Sequence, residues 1–124
     1  MVYWFTGKSS SGKTVYAKRM KRQLEELGAN VILLDGDEVR DQFGNQGYED
    51  DDKEKHIMAI ANFAAIVEKQ GFIVIIALIS PYKKWRMKAR KLFEKSMLIY
   101  LPGGFLWEGT TFEEPDHEEM MCEG

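Results

Sequence analysis

A single cysteine, Cys122, is too few for an internal disulfide, so no covalent cross-link supplements the hydrophobic core. No apolar run approaches the roughly 18 residues of a membrane span. The N-terminus lacks the charged lead, apolar stretch and small-residue cleavage site of a secretory signal. These absences predict a cytoplasmic protein. Basic residues are missing after Lys95: all 17 Lys and Arg lie at or before it, with 13 acids, while residues 96–124 carry seven acids and no base. The formal net charge of −3 therefore hides a basic body and an acidic tail. A basic body suits a polyanionic ligand, although a run such as residues 18–22 is more often a solvated helix face.

What is present begins with Gly7 Lys8 Ser9 Ser10 Ser11 Gly12 Lys13 Thr14, which follows the apolar run 2–5 and leads into a helical pattern. This is the phosphate-loop pattern GxxxxGK[ST]. Its glycines let backbone N–H groups turn inward around phosphates, Lys13 reaches the same oxygens, and the Thr14 hydroxyl is placed to ligate Mg²⁺. Gly7, Ser9, Ser10, Ser11, Gly12, Lys13 and Thr14 are thus the candidate binding residues for a nucleoside triphosphate.

With 124 residues the chain makes one domain, short for a nucleotide-binding α/β enzyme. Strands are predicted over 2–5, 30–34, 72–79 and 97–101, and helices over 13–27, 38–43, 51–70 and 82–95, with a loop at 44–48. Alternation of strand and helix calls for a parallel sheet layered between helices, a P-loop fold of about four strands in the order 2-3-1-4. Residues 1–101 form its core and 102–124 an aromatic, then acidic, tail. The fourth strand, at the edge, exposes backbone groups that a homodimer or the tail would cover.

Three further clusters sit where strand ends converge. Phosphoryl transfer to a hydroxyl needs one carboxylate near the acceptor, another near the metal shell, and gains from an arginine on the acceptor's own phosphate. Asp35, Asp37 and Arg40 offer all three within six residues, although an acidic turn capping a short helix would use the same types. Lys53 and His56, three apart on one helix face, can contact an anionic substrate or simply be solvated. Residues 80–86, which include Ser80, Tyr82 and Arg86, put cations and a stacking aromatic after a strand end, or else form a basic surface helix with Trp85 half-buried. The segment after the fourth strand holds no Lys or Arg, whereas P-loop kinases of small molecules usually close a basic lid there. The missing charge would come from Lys13, from Lys83, Lys84 or Arg86, or from a neighbouring subunit.

The phosphate loop, LLDGDEVR at 33–40, GYEDDDKEKHI at 47–57 and GFIVIIALISPYKKWRMKAR at 71–90 together resemble the adenylylsulfate kinase family over about residues 2–101. The resemblance implies ATP- and Mg²⁺-dependent phosphorylation of the ribose 3′-hydroxyl of adenosine 5′-phosphosulfate. It makes Asp37 the base, places Asp35 near the metal with Thr14, and puts Arg40 on the acceptor nucleotide's phosphate. Lys53 and His56 stand where the family has an arginine and an asparagine that help hold the phosphosulfate. Ser10 replaces a usual glycine, a tolerable change if the backbone there avoids positive φ. The family's lid is missing, and residues 109–116 look like its late segment over the nucleotide. The expected partner is therefore a nucleotide, with no nucleic acid and no membrane. A kinase for another acceptor, such as cytidine diphosphoramidate, and a non-catalytic nucleotide-binding protein are the alternatives.

Overall fold

Successive side chains of a strand point to opposite faces, and here both faces are apolar. The computed structural model describes residues 1–43 and 49–121; the expected loop at 44–48 and Cys122 lie outside the described residues. Strands β1 (Val2–Thr6), β2 (Val31–Asp35), β3 (Ile73–Ala77) and β4 (Ser96–Tyr100) alternate with helices α1 (Lys13–Glu26), α2 (Gly36–Phe43), α3 (Asp50–Lys69) and α4 (Lys83–Arg90), and a short α5 (His117–Met121) ends the fold. The strands pair in parallel in the order β2-β3-β1-β4, as expected from sequence.

Val2, Trp4, Val74, Ile76 and Leu98 pack under α3 and α4, against Ile57, Ile60, Ala64 and Trp85. On the other face Phe5, Ile75 and Ala77 meet Ala17, Met20 and Leu24 of α1. Trp85 is buried, at 4% exposure, and so is not the half-exposed aromatic of a surface helix. The apolar half of α3 is not enclosed all round: Phe63 and Ile66 remain exposed. The acids opening α3 stand in its first turn without a side-chain cap, so they act through the helix dipole.

Three element ends differ from expectation. β3 stops at Ala77, its partner opposite both Phe5 and Asp35, because the chain then bends at Ser80 (φ 40°). α2 begins at Gly36 because the Asp35 carboxylate accepts the Asp37 N–H at 2.9 Å and the Glu38 N–H at 3.4 Å, as an N-cap does. α4 ends at Arg90 instead of running to 95. Phe93 turns into the core, its ring 6.1 Å from that of Trp4, and Glu68 takes the Glu94 and Lys95 N–H groups at 2.9 and 3.2 Å. A continuing helix would need those N–H groups for itself.

The Glu68 side chain is 1% exposed and also meets the Met1 amine at 2.8 Å. Burial alone would raise its carboxyl, but the hydrogen bonds from that amine and from the Glu94 and Lys95 N–H groups hold it below the ordinary value of 4.5. A folded value below the unfolded one gives stability that is full above that value and lost as pH falls through the folded one. Glu68→Gln should therefore be less stable at neutral pH and lose less on acidification. Urea midpoints measured from pH 7 down to 3 check this; parallel profiles for variant and parent would refute it.

The tail is ordered by packing that its composition does not announce. Phe112 is buried and stacks on Tyr100 at 6.1 Å, and α5 packs against β4. Glu119 pairs with Arg86 at 2.6 Å with both side chains fully buried, and the Glu119 carbonyl accepts from Arg90 at 3.1 Å. The chain thus covers its edge strand with its own tail.

Candidate active site

Parallel strands end together, so the loops after β1, β2 and β3 meet at one edge of the sheet. There they line one cavity of about 890 Å³. From the phosphate loop it takes Ser9, Ser10, Gly12, Lys13 and Thr14; from the end of β2 and from α2 it takes Asp35, Gly36, Asp37 and Arg40. Lys53 and His56 of α3 and residues 77–81 form a further wall.

The phosphate loop follows from local rules. Gly12 occupies the left-handed region (φ 98°) just before α1, a conformation open to glycine at no steric cost. No acidic residue stands in the first turn of α1, so its positive end faces the cavity uncompensated. Ser10 also has positive φ, 60°, so the condition under which a serine would replace the glycine without strain is not met. A left-handed serine costs about 1–2 kcal/mol, partly offset because glycine gives the unfolded chain about 0.4–1 kcal/mol more entropy. Ser10→Gly should therefore stabilise the fold by about 0.5–1 kcal/mol, read as a higher urea midpoint; a lower midpoint would contradict the strain.

Lys13 folds back on its own loop, its Nζ donating to the Gly7 and Lys8 carbonyls at 3.0 and 2.7 Å. Burial lowers its pKa from the usual 10.5, opposed by the charges of Asp37 and Asp35. Thr14 Oγ1 donates to Asp35 Oδ2 at 2.6 Å, while Oδ1 caps α2. Both oxygens of Asp35 thus have partners, and the hydroxyl and carboxylate expected at a metal converge on one point. His56 is buried; burial first, then the Arg40 charge, lowers its pKa, against a hydrogen bond with the Gly36 backbone and the charge of Asp37. The neutral ring links α3 to the start of α2.

Not every expected residue faces the cavity. Gly7, Ser11, Tyr82 and Arg86 lie outside its lining. Tyr82 stands at the N-cap position of α4 without a side-chain cap bond, packs edge-on to Trp85 at 4.6 Å and reaches Asp50 at 3.4 Å. Ser80 borders the cavity, but its hydroxyl is turned inward, 3.0 Å from both Trp4 Nε1 and Thr6 Oγ1. The expectation that Arg86 contacts substrate is corrected: its side chain is fully buried and bonded to Glu119, the Ser80 carbonyl and the Glu113 carbonyl. A basic residue on a periodic helix reads as surface charge unless its distant partner is known.

Sequence reasoning missed part of the other rim. Phe105, Leu106 and Trp107 line the cavity where a basic lid was sought, beside Thr110 and Thr111 of the 109–116 segment expected over the nucleotide. The strap is held to the phosphate loop by the Phe105 N–H on the Ser9 carbonyl at 2.9 Å. Gly104 permits this approach, because a Cβ there would lie 2.2 Å from the Ser9 oxygen. The signal available was the Gly103-Gly104 pair before an aromatic cluster.

A parallel sheet in this order, with a phosphate loop between β1 and α1 and paired carboxylates past β2, defines a P-loop nucleotide-binding α/β protein. Residues 1–102 match the family described as adenylylsulphate kinase. The chain belongs to the adenylylsulfate kinase family. It is 38% identical over 100 residues to a probable adenylyl-sulfate kinase of Archaeoglobus fulgidus, covering 80% of this chain and 64% of that one. With the Bacillus subtilis probable adenylyl-sulfate kinase the identity is 40% over 94 residues, 75% of this chain and 48% of the relative. The chain therefore spans about half to two thirds of the length of such relatives. Among solved structures, the Mycobacterium tuberculosis APS kinase CysC in complex with AMPPNP and APS superposes with a TM-score of 0.75 at 28% identity, over 81% of this chain and 61% of that chain. The hexameric APS kinase of Thiobacillus denitrificans gives 0.80 at 28% identity, over 93% of this chain and 23% of that chain. Among the described residues no helix is long and apolar enough to cross a membrane.

Proposed function

We propose that this chain transfers the γ-phosphoryl group of ATP to the 3′-hydroxyl of adenosine 5′-phosphosulfate. The observation that carries the reading is the meeting of Lys13 and Thr14 with Asp35, Asp37 and Arg40 around one cavity. Lys13 leaves the loop carbonyls for the β- and γ-phosphates, beside the N–H groups of Ser9 to Thr14. Asp37 accepts the proton of the 3′-hydroxyl as its oxygen forms the new bond to phosphorus, while the bond from the γ-phosphorus to the β,γ-bridging oxygen breaks and ADP leaves. Arg40 and Lys53 hold the acceptor's anionic groups, and neutral His56 donates or accepts beside them.

Mg²⁺ fits the residues present. Among the described residues no group of three or more acidic, His or Cys side chains could hold a metal by itself, and Mg²⁺ is commonly bound by one or two protein oxygens together with substrate phosphates. Thr14 and Asp35 would hold it, and when bound it neutralises charge on the transferring phosphoryl group.

The test is incubation with labelled Mg·ATP and a panel of acceptors that includes adenosine phosphosulfate and cytidine diphosphoramidate, beside a Lys13→Ala control. Lys13-dependent transfer to adenosine phosphosulfate is the expected result. Transfer to the cytidine compound alone would replace the acceptor, a reading favoured by Lys53 and His56 at positions where the family carries other residues. ATP binding without any transfer would leave a nucleotide-binding protein. Asp37→Asn should lower kcat about a hundredfold with the KM for ATP nearly unchanged; a matching rise in that KM without loss of kcat would remove Asp37 from the base role.

A further inference from the structure

Residues 79–81 form one wall of the cavity, and Ser80 holds them in a left-handed turn (φ 40°) that a serine does not adopt unaided. Their three successive carbonyls are held by three different parts of the chain. Thr6 Oγ1 of β1 donates to the Ile79 carbonyl at 2.6 Å, Arg86 Nη1 of α4 to that of Ser80 at 2.7 Å, and the Glu113 N–H of the strap to that of Pro81 at 2.7 Å. Arg86 is itself fixed from behind. Its Nε and Nη2 grip the two oxygens of Glu119 at 2.6 and 3.1 Å, and Nη2 also reaches the Glu113 carbonyl at 2.9 Å.

We propose that Arg86, locked by Glu119, is a positioning residue that holds the strained wall 79–81 in shape for the acceptor, so that α5 is a working part of the site although it touches no substrate. The inference deepens the proposed function and rests on it for the identity of the acceptor. A buried ion pair contributes little net stability compared with apolar packing, so stability alone does not account for this one. Strain persists only where the surroundings over-determine it, as the hydrogen bonds around Ser80 and its neighbours do here. The planar guanidinium is suited to this task because it serves a carbonyl on one edge and a carboxylate on another, which a lysine ammonium cannot do in one plane.

Two variants of the whole chain test the clamp. Glu119→Gln keeps the shape and removes the charge, and Arg86→Lys keeps the charge and removes the fork; either suffices if the other fails to fold. In the ligand-free protein, amide hydrogen exchange at Ile79, Ser80 and Tyr82 should speed up by about tenfold or more while the β1 amides keep their protection. In turnover, the KM for the acceptor should rise about tenfold, and the KM for ATP should stay within about twofold. A residue that only stabilised the fold would loosen β1 equally and leave the acceptor KM alone. Unchanged exchange at 79–82 in a folded variant, or equal loosening of β1, overturns the clamp. A parent chain that transfers to no acceptor overturns the function instead, and the exchange measurement still decides the clamp.

Discussion

Lys13→Ala should lower phosphoryl transfer by about a thousandfold or more while leaving the fold intact. The two consequences separate because of where the ammonium sits. In the ligand-free chain it satisfies carbonyls of its own loop, groups that water can serve once the side chain is cut back. Burial already lowers its pKa, so its charge is poorly solvated before a phosphate arrives and gains most from one. The same shift fixes a pH effect. Because the folded value lies below the ordinary 10.5, the alkaline limb of kcat/KM, which reports the free enzyme, should begin below that value. Rate, thermal midpoint and pH profile together test this. Transfer within tenfold of the parent in a folded Lys13→Ala chain would remove the lysine from the reaction.

Arg86→Ala should be the most destabilising single change considered, costing about 3–5 kcal/mol, because it strands the fully buried Glu119 without its partner. It also leaves the Ser80 and Glu113 carbonyls without their donor. For a domain of this size that corresponds to a fall of roughly 10 °C or more in Tm. Replacing both partners by apolar residues, Arg86→Met with Glu119→Leu, should recover the part of the loss that belongs to the unpaired charge, while the Ser80 and Glu113 carbonyls stay without their donor. The comparison pair is Lys83 and Asp116, also 2.6 Å apart but exposed and screened by solvent, where loss of the Lys83 charge should leave stability nearly unchanged. A cost for Arg86→Ala as small as that would mean that water or another cation reaches Glu119.

Much of the architecture was legible because it rests on short-range rules. Apolar runs of strand length, one phosphate loop and the helices between them suffice for a parallel P-loop sheet, and the carboxylates and Arg40 follow β2 closely enough to move with it. Helix ends were less legible. α4 gives way at Arg90 because Glu68, more than 20 residues earlier, takes the N–H groups that a longer helix needs. Arg86 read as a substrate contact or as surface charge, and not as a buried strut, because its partner lies 33 residues on, in a tail with no clear period.

By itself the sequence determined the fold class, the position of the phosphate loop and the family, since these depend on residue types at fixed short spacings. Tertiary structure alone decided that Ser10 and Ser80 are strained, that Arg86 turns inward onto a small acidic helix, and that an aromatic strap lines the site. Those outcomes depend on contacts between segments far apart in the chain, where burial, and not composition, sets whether a charge is a surface group or a strut.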